Sequence, residues 1–326
     1  MRFIFKTDYD QDIRILKHSG YWWSYGVLLA VLVAAPYLLG SYLQSQLVFV
    51  FIYAIVGVAL MILTGFTGQA SLGHAAFLAI GAYTAGFMQS IGVPFIVYFP
   101  LAAVLTGVVG ALVGFPALRL HGIYLVIATI AFAFIVEEVL ARWESVTHGN
   151  EGMRVRALNL FGQPLPRASD AFYFLCLLVL VGSVLLALNL LRSPTGRAFV
   201  AIRDSETAGK SMGIDLAAYK VKSFAISAAI TGMAGVLFAH KMTFISPEMF
   251  TLLLSIEFIM VIIIGGAFGV HGAIFGAIFI VMVDPFLTAL KDDVPVLVAS
   301  IADSLGMAPE AAAQLRDKLA KIGSAI

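Results

Sequence analysis

Nine apolar runs follow one another along the chain, near residues 24–43, 46–64, 74–91, 94–114, 122–141, 171–191, 217–239, 253–264 and 272–290, each ended by Gly, Pro or charge. Several have the roughly 20 residues with which an α-helix crosses about 30 Å of hydrocarbon. Lipid offers the backbone no hydrogen bonds, so runs of this length predict helices. The fold expected is all-α, a polytopic transmembrane helical bundle. Two stretches are interrupted by glycines, LTGFTGQASLGHAAFLAIGAYTAG over 63–86 and IIIGGAFGVHGAIFGA over 262–277, and each adjoins a segment too short to cross alone. Irregular backbone at membrane depth persists only where protein or a water-filled cavity satisfies its polar groups, so these glycine-broken helices point to a pathway or to close helix packing.

Composition fixes the solvent. Hydrophobic residues make up 61% of the chain and charged residues 12%, with a mean hydropathy of +0.98, which excludes a water-soluble domain of this length. A net charge of +1 supplies no basic field for nucleic acid. The single cysteine, Cys176, lies in FYFLCLLVLVG, so it forms no internal disulfide and reads as a small buried hydrophobe. The first twenty residues mix Asp with Lys and Arg, and the apolar run after them has no small-x-small cleavage site, so the first hydrophobic segment is expected to be retained.

Charge is concentrated in one place. The loop 192–222 holds six of the chain's twenty Lys and Arg, which predicts a cytoplasmic loop and a surface for a soluble partner. Alternation then places Arg119, His121 and the N-terminal Arg2, Lys6, Arg14 and Lys17 inside, and the loop 142–170 outside as a small folded segment despite its four arginines. The organisation expected is a cytoplasmic segment over 1–23, a membrane domain over 24–290 and an external amphipathic tail over 291–326. In the tail, Leu297, Ile301 and Leu305, then Leu315, Leu319 and Ile322, recur at helical spacing.

Few ionisable residues interrupt the apolar runs. Glu138 and Arg142 have the spacing of a helical ion pair beside Glu137, and Glu257 and Asp284 stand alone in apolar surroundings. A charge within lipid is costly enough that either would be a functional candidate. No relay of carboxylates or histidines accompanies them, which leaves a proton-coupled carrier little support. No HExxH, cysteine pair or catalytic triad pattern is present, and the DSETAGKS string over 204–211 lacks the first glycine and the preceding strand of a phosphate-binding loop. ATP, if used, is bound by another subunit.

The segments 196–239, 118–153, 63–83 and 262–277 together resemble, in order, the LivM-type permeases of branched-chain amino acid ABC transporters. The resemblance implies a permease without its own ATPase site or cofactor, placed in the bacterial inner membrane with the N-terminus in the cytoplasm. It implies as partners a homologous LivH-type permease, two cytoplasmic ATPase subunits and a periplasmic amino acid binding protein. It also implies that Arg197, Arg203, Glu206, Ala208, Lys210, Met212 and Gly213 couple the chain to its ATPase. The glycine breaks, with Gly65, Gly68, Gln69, Ser71, Gly73, His74, Gly265 and Gly266, are expected on the translocation path. A urea or short-amide importer of the same family, and a self-sufficient carrier or channel, stay open as alternatives. LivM-type chains usually continue into a last membrane helix and a basic tail, so this chain is expected to be truncated.

Overall fold

A backbone surrounded by lipid must hydrogen-bond to itself, and the computed structural model, which describes residues 19–118, 120, 122–160, 163–267 and 269–304, is helical almost throughout. Its main helices are α1 (Ser19–Leu38), α2 (Ser41–Leu60), α3 (His74–Ser90), α4 (Phe95–Ala117), α5 (Ile123–Arg142), α6 (Asp170–Arg192), α7 (Pro194–Asp204), α8 (Glu206–Ser211), α9 (Leu216–Met242), α10 (Leu252–Gly265) and α11 (Val270–Ser304). Every expected run carries a helix. The first run needs correction: Gly40 is extended, at φ −65° and ψ 160°, so the apolar stretch 24–43 is cut between α1 and α2. Among the described residues seven helical segments are long and apolar enough to cross a membrane, making this a multi-pass membrane protein. The N-terminal basic cluster, Arg119, His121 and the tail beyond 304 lie outside the described residues.

The chain divides into two compact units, 1–278 and 279–326. In the first, α2 and α9 form the centre and are far more enclosed than α4, α5 or α6. Close approach explains this. A Cβ at Gly81 would overlap the Gly232 carbonyl, one at Gly235 the Leu78 carbonyl, and one at Gly110 the Ala228 side chain, so α3 and α4 lie directly against α9. Cys176 is fully buried on α6. The boundary between the units falls within α11, whose helix continues past position 291, where the tail was expected to begin, to Ser304.

Capping sets the ends of the polar helices. Ser193 accepts from the Gly196 amide ahead of Pro194, Ser205 accepts from Ala208, and Asp215 accepts from Ala217 and Ala218. The charged loop is thus two short helices, α7 and α8, feeding α9.

At the other end of the bundle the 142–170 stretch is folded. Strand β1 (Met153–Arg154) pairs antiparallel with β4 (Phe244–Ile245), and β2 (Leu158–Leu160) with β3 (Gln163–Leu165). Gln89 grips Arg156 in both senses: its Oε1 accepts from the Arg156 amide at 2.8 Å and its Nε2 donates to the Arg156 carbonyl at 3.2 Å.

Candidate functional site

Helix α2 does not end cleanly. It widens at Met61–Phe66 into a π-helical turn, after which the chain runs irregularly to His74. The polar groups freed there are taken up locally. The Gln69 amide donates to the Leu63 carbonyl at 3.1 Å, Thr67 Oγ1 to the Ile62 carbonyl at 2.9 Å, and Thr64 Oγ1 to the Gln69 carbonyl at 3.2 Å. Gly68 has φ +72°, a conformation only glycine adopts without strain. Breaks of this kind are common at functional sites.

The two glycine breaks, 200 residues apart in sequence, touch. A Cβ at Gly65 would overlap the Ala267 carbonyl, and within the second break one at Gly265 would overlap the Gly272 carbonyl. Gly266 turns the chain at φ +101°. The breaks therefore form one contact region between α2, α3, α10 and α11.

The charged loop is built onto the same region. Arg203, near the end of α7, donates from Nη1 to the Gly65 carbonyl at 3.2 Å and lies against Gly68, while its Nη2 binds Asp204 Oδ1 at 2.8 Å. Glu206, at the head of α8, pairs with Lys220 Nζ at 2.7 Å, and the Lys220 side chain is only 5% exposed. A nearly buried ammonium needs such a partner, so the pair pins α8 to α9.

From Lys220 a polar line continues along α9. Gln69 Nε2 donates to Ser223 Oγ at 2.9 Å, and His74 Nε2 meets Ser227 Oγ at 2.8 Å. Ser227 gives its own proton to the Ala59 carbonyl at 2.7 Å, so His74 Nε2 is the donor and Nδ1 carries the lone pair. Gln69 Oε1 and His74 Nδ1 are buried without a partner among the described residues. Farther along the break, Leu72 and Ala75 donate their amides to Thr129 Oγ1 and Ser255 Oγ, both at 3.0 Å.

The residues expected to couple the chain to an ATPase thus divide in two. Arg203 and Glu206 are engaged inward, by the break and by Lys220. Arg197, Ala208, Lys210, Met212 and Gly213 are exposed, and Met212 presents 79% of its surface at the tip of α8, where Gly213 at φ +84° reverses the chain. The residues expected on the path are together, yet Gln69, Ser71 and His74 are buried within the chain's own interior. Lys220, Ser223 and Ser227 were missed. Their spacing of three and four residues marks one face of a helix, which was the available signal.

Elsewhere, the Glu138–Arg142 ion pair forms as expected, on an exposed face of α5. A cleft of about 410 Å³ opens at the strand-bearing end, lined by Gln89, His148, Glu151, Arg154, Arg156 and Phe244. Among the described residues no group of three His, Cys, Asp or Glu converges as a metal site.

The family profile described as "Branched-chain amino acid transport system / permease component" matches residues 42–301. The chain is 34% identical over 279 residues to the high-affinity branched-chain amino acid transport system permease protein LivM of Salmonella typhimurium, covering 78% of this chain and 66% of that one. The Escherichia coli LivM is similar to the same extent. The probable LivM of Methanocaldococcus jannaschii is 28% identical over 193 residues, 59% of this chain and 55% of that one. The chain thus spans about two thirds of the length of the first two relatives. No solved structure matches.

Proposed function

This chain belongs to the family of branched-chain amino acid transport system permease components, and from that premise we propose that it is one of two permeases enclosing the membrane path of an ABC importer for branched-chain amino acids. A homologous LivH-type permease is the other. ATP is hydrolysed by two cytoplasmic ATPase subunits that dock on α7 and α8, and a periplasmic binding protein delivers substrate to the opposite end, where the 410 Å³ cleft lies. The end carrying α7 and α8 then faces the cytoplasm, in the bacterial inner membrane with the N-terminus inside, as the positive charge of that loop favours.

The observation that carries this reading is the contact of Arg203 with the Gly65 carbonyl. It ties the exposed helical pair directly to the glycine break. Movement imposed on α8 by an ATPase passes through Arg203 to the break and through the Glu206–Lys220 pair to α9. The break in turn abuts the head of α11 through Ala267, so both discontinuities shift together. Coupling of this kind needs an element with two arrangements that both sites bias, rather than distance alone.

Co-purification from native membranes, followed by identification of the accompanying chains, tests the assembly. Two ATPases and a second glycine-rich permease are expected. A lone or homo-oligomeric chain that moves solute in liposomes by itself overturns the importer reading in favour of a carrier.

A further inference from the structure

Helix α10 reads LLLSIEFIMVIIIG and carries a single ionisable side chain, Glu257. It lies roughly 8 Å along the helix from Leu252, at a rise of about 1.5 Å per residue. The helix is buried on one side, through Leu254, Ser255, Phe258, Val261 and Ile262, and exposes Leu253, Ile256, Met260 and Ile264 on the other. Glu257 stands on the seam between these faces and is half-buried. Its Oε2 accepts from Tyr53 Oη on α2 at 2.9 Å, and the Tyr53 ring is set by an edge contact with Phe258 at 5.1 Å. Among the described residues no cation pairs with Glu257.

A carboxylate at this depth is retained where it faces a pathway or a partner and meets a positive group there. Tyr53 supplies one neutral hydrogen bond and fixes the carboxylate's orientation, leaving acceptor capacity for a cation. The surrounding exposed surface is aliphatic. The ammonium and the branched aliphatic side chain of the proposed cargo both find a counterpart here, and its carboxylate is left to other groups. The site is also connected to the moving parts, because Ser255, two residues before Glu257, holds the Ala75 amide at the end of the glycine break.

We propose that Glu257, positioned by Tyr53, is the substrate-contacting carboxylate of this half of the path and receives the ammonium of the passing amino acid. This rests on the reading of the chain as an amino acid permease. The test uses the full complex, with both permeases, both ATPases and the binding protein, reconstituted in proteoliposomes. Leucine uptake and binding-protein-stimulated ATP hydrolysis are measured together. Glu257→Gln is expected to assemble and keep ATP hydrolysis within about twofold of wild type while leucine uptake falls about tenfold or more, the scale of a lost charge-assisted hydrogen bond. Tyr53→Phe is expected to lower uptake less, and Glu257→Asp to restore part of it.

Uptake by Glu257→Gln within about twofold of wild type overturns the proposal, on the same scale. So does loss of the second permease from the purified variant, or a parallel fall of ATP hydrolysis, either of which assigns Glu257 to assembly. Failure of the wild-type complex to take up leucine sinks the amino acid reading itself, which the wild-type arm reads separately.

Discussion

Gly65 has no room for even a methyl group, because the Ala267 carbonyl occupies the place of its Cβ. Gly65→Ala must therefore separate the two breaks, and we expect it to abolish uptake while the protein still inserts, as checked by membrane fractionation beside transport. Gly68 is different. It is exposed, with φ +72°, and Arg203 is its neighbour, so Gly68→Ala costs about 1 kcal/mol of backbone strain, whereas Gly68→Leu also pushes on α7. Gly68→Leu is expected to block uptake with the complex assembled, and normal transport would remove the break from the mechanism. Glu206→Lys sets two ammonium groups against each other where Lys220 is nearly buried. It should free α8 and uncouple ATP hydrolysis from transport without preventing insertion, and Lys220→Glu in the same chain should recover part of the loss.

Helix α9 links the charged loop to the glycine break. Its line Lys220, Ser223, Ser227 holds α8, Gln69 and His74 in turn. Ser227→Ala removes two hydrogen bonds at once and should cost about 1 kcal/mol in a membrane protein, read as a lowered thermal midpoint with uptake retained in part. The helices themselves were legible, because each apolar run needs no partner to declare itself. The cut at Leu39-Gly40 was not, since both flanks are apolar and only the extended Gly40 separates them. Nor was the polar line. Lys220 reads as the end of a charged loop and Ser223 and Ser227 as small packing residues until it is known that the break lies opposite them. Facing of helices is a tertiary property, and one sequence's periodicity does not encode it. The same reason explains why Arg203 and Glu206, expected to point toward a partner, are engaged inward.

For the whole molecule, the arrangement predicts that α8 is covered only in the assembled complex. Lys210 on this helix and Met212 just beyond its end are exposed, and are the residues the proposed ATPase would shield. Cys176, the chain's one cysteine, is sealed inside. The protein is therefore a ready background for thiol labelling, with no native thiol to remove. A maleimide dye should leave the native chain unlabelled, mark Met212→Cys readily in the isolated permease, and lose that access when the ATPases bind. The rate at which that thiol reacts during turnover would then report how far the proposed docking surface opens in each cycle.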